Sequence, residues 1–159
     1  MGKTDRITLY AAVRVSKPKV VIETGTAAGA SATYILEALE KNGEGCLYSV
    51  DIAHKDEVIG RLIPDRLRSR VHIRTGNSLL VLPELLDEVG SVDFFLHDSL
   101  HTYVHMMEEY EMVFRYMNAG GAVCSHDVLL TNAWKHFTTQ HGLHKQGMVK
   151  NLGICLIEK

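Results

Sequence analysis

The sequence predicts an α/β protein, a doubly wound sheet of seven strands in the order 3-2-1-4-5-7-6. Helices cover both faces and the last strand runs antiparallel. Three observations carry this. Short β-branched runs alternate with longer helical stretches over residues 19–127. The strand segments are continuously apolar, as parallel strands buried on both faces must be. The chain then closes with two β-like runs, KQGMV (145–149) and LGICLIEK (152–159), separated only by Lys150-Asn151. Strands joined that tightly are antiparallel.

The elements follow in order. Residues 4–16 form a lead-in helix. KVVIET (19–24) is a buried strand, and GASATYILEALEK (29–41) is a helix closed by Asn42-Gly43. GCLYSVDI (45–52) is the second strand. EVIGRLIPDRLRS (57–69) reads as helical with a break at Pro64. RVHIRTG (70–76) is the third strand, followed by a helix over 78–90 that Gly90 stops. SVDFFLHD (91–98) is the fourth strand. The helix over 103–118 is amphipathic, with Val104, Met107, Tyr110, Met112 and Phe114 near its apolar face. Gly120-Gly121 punctuates the chain before the fifth strand at 122–127, and a short helix spans 131–140. Pro18, Pro64 and Pro83 are expected at element starts or turns. The whole reads as one domain over 1–159, with a lead-in at 1–18, a β/α core at 19–127 and a helix plus hairpin at 128–159.

Composition narrows the function. The 17 Lys and Arg against 19 Asp and Glu give a net charge of -2. That excludes the basic stripe of a nonspecific nucleic-acid binder and the polybasic patch of a membrane-surface protein. No apolar run approaches the roughly 18 residues of a membrane span. The N-terminal apolar stretch is short, broken by Arg14 and without a cleavage pattern, so no signal peptide is expected. Cys46, Cys124 and Cys155 form neither a disulfide framework nor a zinc motif, and read as buried, reduced thiols of a cytoplasmic protein.

In such a sheet, ligands bind at the carboxyl ends of the strands. The first strand runs into Glu23-x-Gly25-x-x-x-Gly29, where glycines let backbone approach a ligand and the next helix offers free N–H groups. This is not a P-loop, because no Gly-Lys-Ser/Thr follows, and a dinucleotide fingerprint would need Gly at Ala27 and Ala30. The second strand ends at Asp51, which can accept two hydrogen bonds from a ribose diol. The third ends in Thr75-Gly76-Asn77-Ser78, where Asn77 or Ser78 caps a helix and a polar side chain reaches toward a base edge.

These strand ends, with the terminal hairpin, resemble the Rossmann-like class I S-adenosylmethionine-dependent methyltransferases over nearly the whole chain. The resemblance implies that Glu23, Gly25, Thr26 and Gly29 line the methionine and ribose region. It also implies that Asp51 holds the ribose hydroxyls and that Gly76 and Asn77 sit by the adenine. Ser31 matches a Gly-x-Ser of the small-molecule O-methyltransferase branch.

The fourth strand ends in Asp98-Ser99-Leu100-His101-Thr102-Tyr103 and the fifth in Ser125-His126-Asp127. Two carboxylates and a His at neighbouring strand ends make a cation site, which can polarise a substrate hydroxyl. His101, three residues past Asp98, is in reach as a general base. The pattern Asp-x-x-His-x-Tyr, Gly-Gly, His-Asp is similar to metal-dependent O-methyltransferases that modify sugar hydroxyls, and to relatives of cephalosporin hydroxylase. The resemblance implies Asp98 and Asp127 as metal ligands, Asp98 also beside the cofactor, and His101 as the base. The sugar-modifying members carry an acid where this chain has His126. An imidazole ligand there tilts the site from Mg²⁺ toward Mn²⁺, Fe²⁺ or Zn²⁺.

His97 is expected to turn toward a helix layer and His105 to an exposed helix face. His54, His72, His136, His141 and His144 have no partner legible in the sequence. Trp134 and Phe137 fit a pocket wall or the core. The expected cofactors are S-adenosylmethionine and a divalent cation (Mg²⁺, Mn²⁺ or Fe²⁺), and the expected partner is a small-molecule hydroxyl acceptor. The chain is short for an O-methyltransferase, so either the acceptor is small or a second copy in a homodimer closes the site. A nonenzymatic nucleotide-binding module would keep the first loop without acceptor chemistry. A nicotinamide dehydrogenase is disfavoured by Ala27, Ala30 and the hairpin, and a Ser hydrolase by the absence of a Gly-x-Ser-x-Gly elbow. An iron-dependent hydroxylase fits the same His and Asp pairs.

Overall fold

The structure, a computed structural model, describes residues 1–52 and 58–158. Helix α1 (Lys3–Ser16) leads into β1 (Val20–Thr24), α2 (Ala30–Asn42), β2 (Cys46–Asp51), a 3-10 helix (Asp65–Arg70) and β3 (Val71–Thr75). Then come α3 (Ser78–Val89), β4 (Val92–His97), α4 (Tyr103–Phe114), β5 (Met117–Ser125), α5 (Ala133–Gln140), β6 (Gln146–Val149) and β7 (Leu152–Leu156). The seven strands form one sheet in the order β3-β2-β1-β4-β5-β7-β6, as predicted. The first five are mutually parallel, and β7 runs antiparallel to both β5 and β6.

Strand periodicity divides the core. On β1, Val21 packs with α1 and α2 while Ile22 packs with α3, α4 and α5. On β4, Phe94 and Leu96 point to the first layer and Phe95 to the second. Period-2 alternation thus feeds two apolar layers, which is why the strands read as continuously hydrophobic. Trp134 and Phe137 belong to the second layer, so they are core residues. All three cysteines are unpaired; burial pushes the Cys155 thiol up to about 12 and that of Cys124 well above its usual range.

Several boundaries depart from the sequence reading. The helix expected at 57–69 is a turn followed by the 3-10 helix, and its start, like His54, lies outside the described residues. Pro64 is extended and cannot continue a helix, and Gly60 sits at φ +71°, donating to Ala27 O at 2.9 Å. The turn is therefore tied to the loop after β1 instead of coiling on itself. Pro83 lies inside α3, not at an element start. Helix α4 ends at Phe114, and Gly120-Gly121 falls inside β5, where a register shift against β4 absorbs the extra residues. The buried stripe of α4 is Met106, Glu109, Tyr110 and Val113, whereas Val104 is exposed. Strands β4 and β5 stop at His97 and Ser125, so Asp98, His126 and Asp127 lie on loops just beyond the sheet edge.

Candidate active site

The carboxyl ends of β1 to β4 surround a pocket of about 510 Å³. Gly25 and Ala27 form one wall, Asp51 and Ile52 the next, then Gly76, Asn77 and Ser78, and finally Asp98, Ser99 and Leu100. Gly25 has φ +92°, and a Cβ there would stand 2.1 Å from the Asp98 carbonyl oxygen. Only glycine lets the loop after β1 pass so close to the end of β4. The Asp51 carboxylate faces the pocket and accepts the N–H groups of Ala27 and Ile52. Asn77 caps α3, its side chain accepting from Leu79 N at 3.0 Å, as predicted.

Glu23, Thr26 and Ser31 were expected at the cofactor but lie one layer beneath the wall, all buried. Both Ser31 and Ser49 donate to the Glu23 carboxylate, and Thr26 shares a hydrogen bond with Ser49. Burial raises the Glu23 carboxyl to about 7 despite those two donors. These side chains brace the loop. Gly29, at φ +89°, precedes α2 and faces Ile63, where a Cβ would come within 2.9 Å, so it too serves loop packing.

Sequence reasoning missed a second buried carboxylate, Glu109 of α4. Thr24, His97 and Ser99 donate to it at 2.6, 2.7 and 2.7 Å, Ser78 donates as well, and His105 Nε2 lies at 2.9 Å. Although Glu109 is buried, His105, His97 and Ser78 hold its carboxyl far below the usual range. His105, which the helical pattern placed on an exposed face, is therefore half-buried over this group and lines the pocket. His97 points into the helix layer as expected. The signal in the sequence was the i, i+4, i+7 stripe of Met106, Tyr110 and Val113, which takes in Glu109.

The other half of the site lies past β4 and β5. One ligand atom each of Asp98, His101 and His126 all fall within 4.8 Å of one another. His126 Nδ1 is 3.0 Å from Asp98 Oδ1 and 3.3 Å from Asp127 Oδ2, and neither contact makes a hydrogen bond. His101 Nε2 is 3.7 Å from Asp98 and 4.0 Å from Asp127, also buried and unpartnered. Asp127 is held at φ +53°, and Asn151 from the hairpin donates to its Oδ1 at 3.2 Å, leaving Oδ2 toward the cluster. A non-glycine residue at positive φ is uncommon and concentrates at functional sites. The Asp98 carboxylate raises the pKa of His126. Burial, then the neighbouring His97, lowers that of His101. The unpartnered nitrogens beside two carboxylates make a donor set that fits a divalent cation. Two sequence residues not anticipated here also reach the cluster: Asn151, and Asp5 of α1, whose Oδ2 lies 3.7 Å from His126 Nε2.

Three further histidines find partners outside the site. His72 stacks on Tyr48, His136 Nδ1 meets Tyr103 Oη at 3.0 Å, and His141 pairs with Glu111 at 2.8 Å.

The chain is similar to known methyltransferases in sequence and in fold. The profile of a family described as a methyltransferase domain matches residues 22–128. A catechol O-methyltransferase of Niastella koreensis is 34% identical over 89 residues, covering 54% of this chain. The chain matches only 39% of that relative's length. Among solved structures, the O-methyltransferase of Bacillus cereus in complex with SAH superposes at TM-score 0.79 with 18% identity, over 100% of this chain and 82% of that one. The O-methyltransferase TomG of Streptomyces achromogenes, involved in tomaymycin synthesis and in complex with SAM, superposes at 0.71 with 17% identity and the same coverage. At these identities the solved structures establish the fold.

Proposed function

Since the chain belongs to the methyltransferase domain family, we propose that it transfers a methyl group from S-adenosylmethionine to a hydroxyl of a small molecule. Asp98, His126 and Asp127 would hold a divalent cation beside the acceptor. The observation that carries this is the juxtaposition of the glycine-walled pocket with the His and Asp cluster, which share Asp98.

The residues fit both groups. The missing Cβ of Gly25 lets the loop after β1 close on the end of β4, which brings the pocket walls at Gly25 and Asp98 together. Asp51 retains free lone pairs for a ribose diol beyond the two N–H groups it already accepts. Gly76 and Asn77 bound the base end, and Asp98 bounds the end nearest the cluster. When bound, S-adenosylmethionine supplies an electrophilic methyl group, and a cation supplies a Lewis acid that lowers the acceptor hydroxyl's pKa. Asp98 and Asp127 contribute the negative charge that cation needs, and His126 a neutral nitrogen. His101, whose imidazole burial holds below its usual range, presents an unpartnered Nε2 to the acceptor side and takes the hydroxyl proton. Glu109 fixes Ser78, Ser99 and His105 along the pocket floor, so the wall is preorganised before ligand arrives.

No helix among the described residues is long and apolar enough to cross a membrane. The family profile, the SAH and SAM complexes of the structural neighbours, and the fit of the pocket support the cofactor half. The unpartnered Nδ1 of His126, between Asp98 and Asp127, supports the cation half. The test is calorimetry with SAH and an assay of methyl transfer to a panel of catechols, phenols and sugars, with and without chelator. Binding of SAH with chelator-sensitive methylation is expected. SAH binding without any methylation would favour a binding module instead.

A further inference from the structure

We propose that Asp5, on the N-terminal helix, positions His126 for the cation. Its carboxylate stands 3.7 Å from Nε2, not hydrogen-bonded to it here, and would take the Nε2 proton once a cation occupies the bare Nδ1 that faces Asp98 and Asp127. The inference rests on the cation reading above.

Three features point to it. Asp5, Leu9 and Val13 are the buried residues of α1, spaced i, i+4 and i+8, so Asp5 continues an apolar stripe packed on the core. An aspartate is almost never buried unless paired, and Asp5 is 5% exposed. Next, its hydrogen bonds are incomplete. Oδ2 accepts Gly2 N at 3.1 Å and lies 3.7 Å from His126 Nε2, while Oδ1 is buried without a hydrogen-bond partner. A buried carboxylate left short of donors is costly unless a proton donor or cation faces it. Finally, the imidazole is addressed from both sides. Its Nδ1 is buried, unpartnered and 3.0 Å from Asp98. A cation between Asp98 and Asp127 needs that nitrogen bare, so the ring proton must sit on Nε2, and Asp5 is the acceptor there. Carboxylates in this place fix the tautomer and raise the basicity of a metal-bound imidazole. Through Asp5 the lead-in helix becomes part of the site.

The experiment titrates Mn²⁺ onto the full chain, wild type and the Asp5→Asn, His126→Ala and double variants, with SAH titrated in parallel. Asp5→Asn keeps the side chain's size and its acceptor for Gly2 N. It should weaken Mn²⁺ binding by roughly 10–100-fold and leave SAH affinity within about twofold. In the His126→Ala background it should have no further effect. An Mn²⁺ affinity within about twofold of wild type overturns the proposal, and so does an undiminished loss when His126 is absent. Wild-type protein that takes up no Mn²⁺ removes the cation reading and this proposal together, while the SAH titration reads the cofactor half separately. Nitrogen NMR of His126 in Zn²⁺-loaded wild type needs no variant: a protonated Nε2 is expected, and a protonated Nδ1 overturns the assignment.

Discussion

Glu23 should make the protein less stable as the pH rises through the neutral range. Its carboxyl is fully buried beneath the loop after β1, and burial lifts it from 4.5 to about 7. Between those values the folded protein keeps the proton that the unfolded chain releases. Stability from this group is therefore complete below pH 4.5, declines across the interval and is gone above about 7. At about 1.4 kcal/mol per pH unit the interval is worth about 3 kcal/mol. Glu23→Gln mimics the protonated side chain. It still accepts from Ser31, and Ser49 can turn its hydroxyl toward Thr26, with which it already shares a hydrogen bond. Urea unfolding of the ligand-free protein at pH 5 and pH 8 reads the effect. Relative to the variant, wild type should lose about 2.5 kcal/mol between those two values, since pH 5 already lies inside the interval, and the variant's profile should be correspondingly flatter. Parallel profiles for the two proteins would refute the reasoning, because the buried carboxyl would then not be the group that titrates.

Asp51→Ala removes a charged acceptor worth roughly 1.5–3 kcal/mol and should weaken SAH binding at least about tenfold by calorimetry. Gly25→Ala forces a Cβ to 2.1 Å from the Asp98 carbonyl at φ +92°; SAH binding should be lost, and wild-type affinity in this variant would contradict the packing described. Glu109→Ala leaves Thr24, Ser78, His97 and Ser99 without their acceptor, and should cost several kcal/mol of stability by urea unfolding, since each buried polar group left unsatisfied costs roughly 1–3 kcal/mol. His101→Ala should lower turnover by roughly 10²–10⁴-fold with little change in SAH affinity, and Asp127→Asn should abolish turnover as chelation does.

Sheet order, parallel core and terminal hairpin were legible because each rests on local pattern: continuous apolar strands, regular alternation and a two-residue link. The segment at 57–69 was not, because its backbone hydrogen bonds go to Ala27 and Ala28 across the fold and override its local helical pattern. Likewise Asp98, His101, His126 and Asp127 could be brought together from sequence, since all follow neighbouring strand ends. Glu109 and Asp5 could not. Each is an acid inside the buried stripe of a helix, where sequence periodicity marks the face but cannot say which polar partners wait opposite. The resemblance placed Glu23, Thr26 and Ser31 at the pocket, and only the packing reveals that they stand behind its wall.

The central claim, a cofactor pocket opening onto a cation held by Asp98, His126 and Asp127, is tested most directly by a crystal structure of the chain with SAH and Mn²⁺, using anomalous scattering at the manganese edge. The account predicts one anomalous peak coordinated by those three side chains, beside SAH lying with its ribose on Asp51 and its adenine by Asn77. SAH bound with the manganese peak elsewhere, or no SAH in the pocket at all, would contradict it.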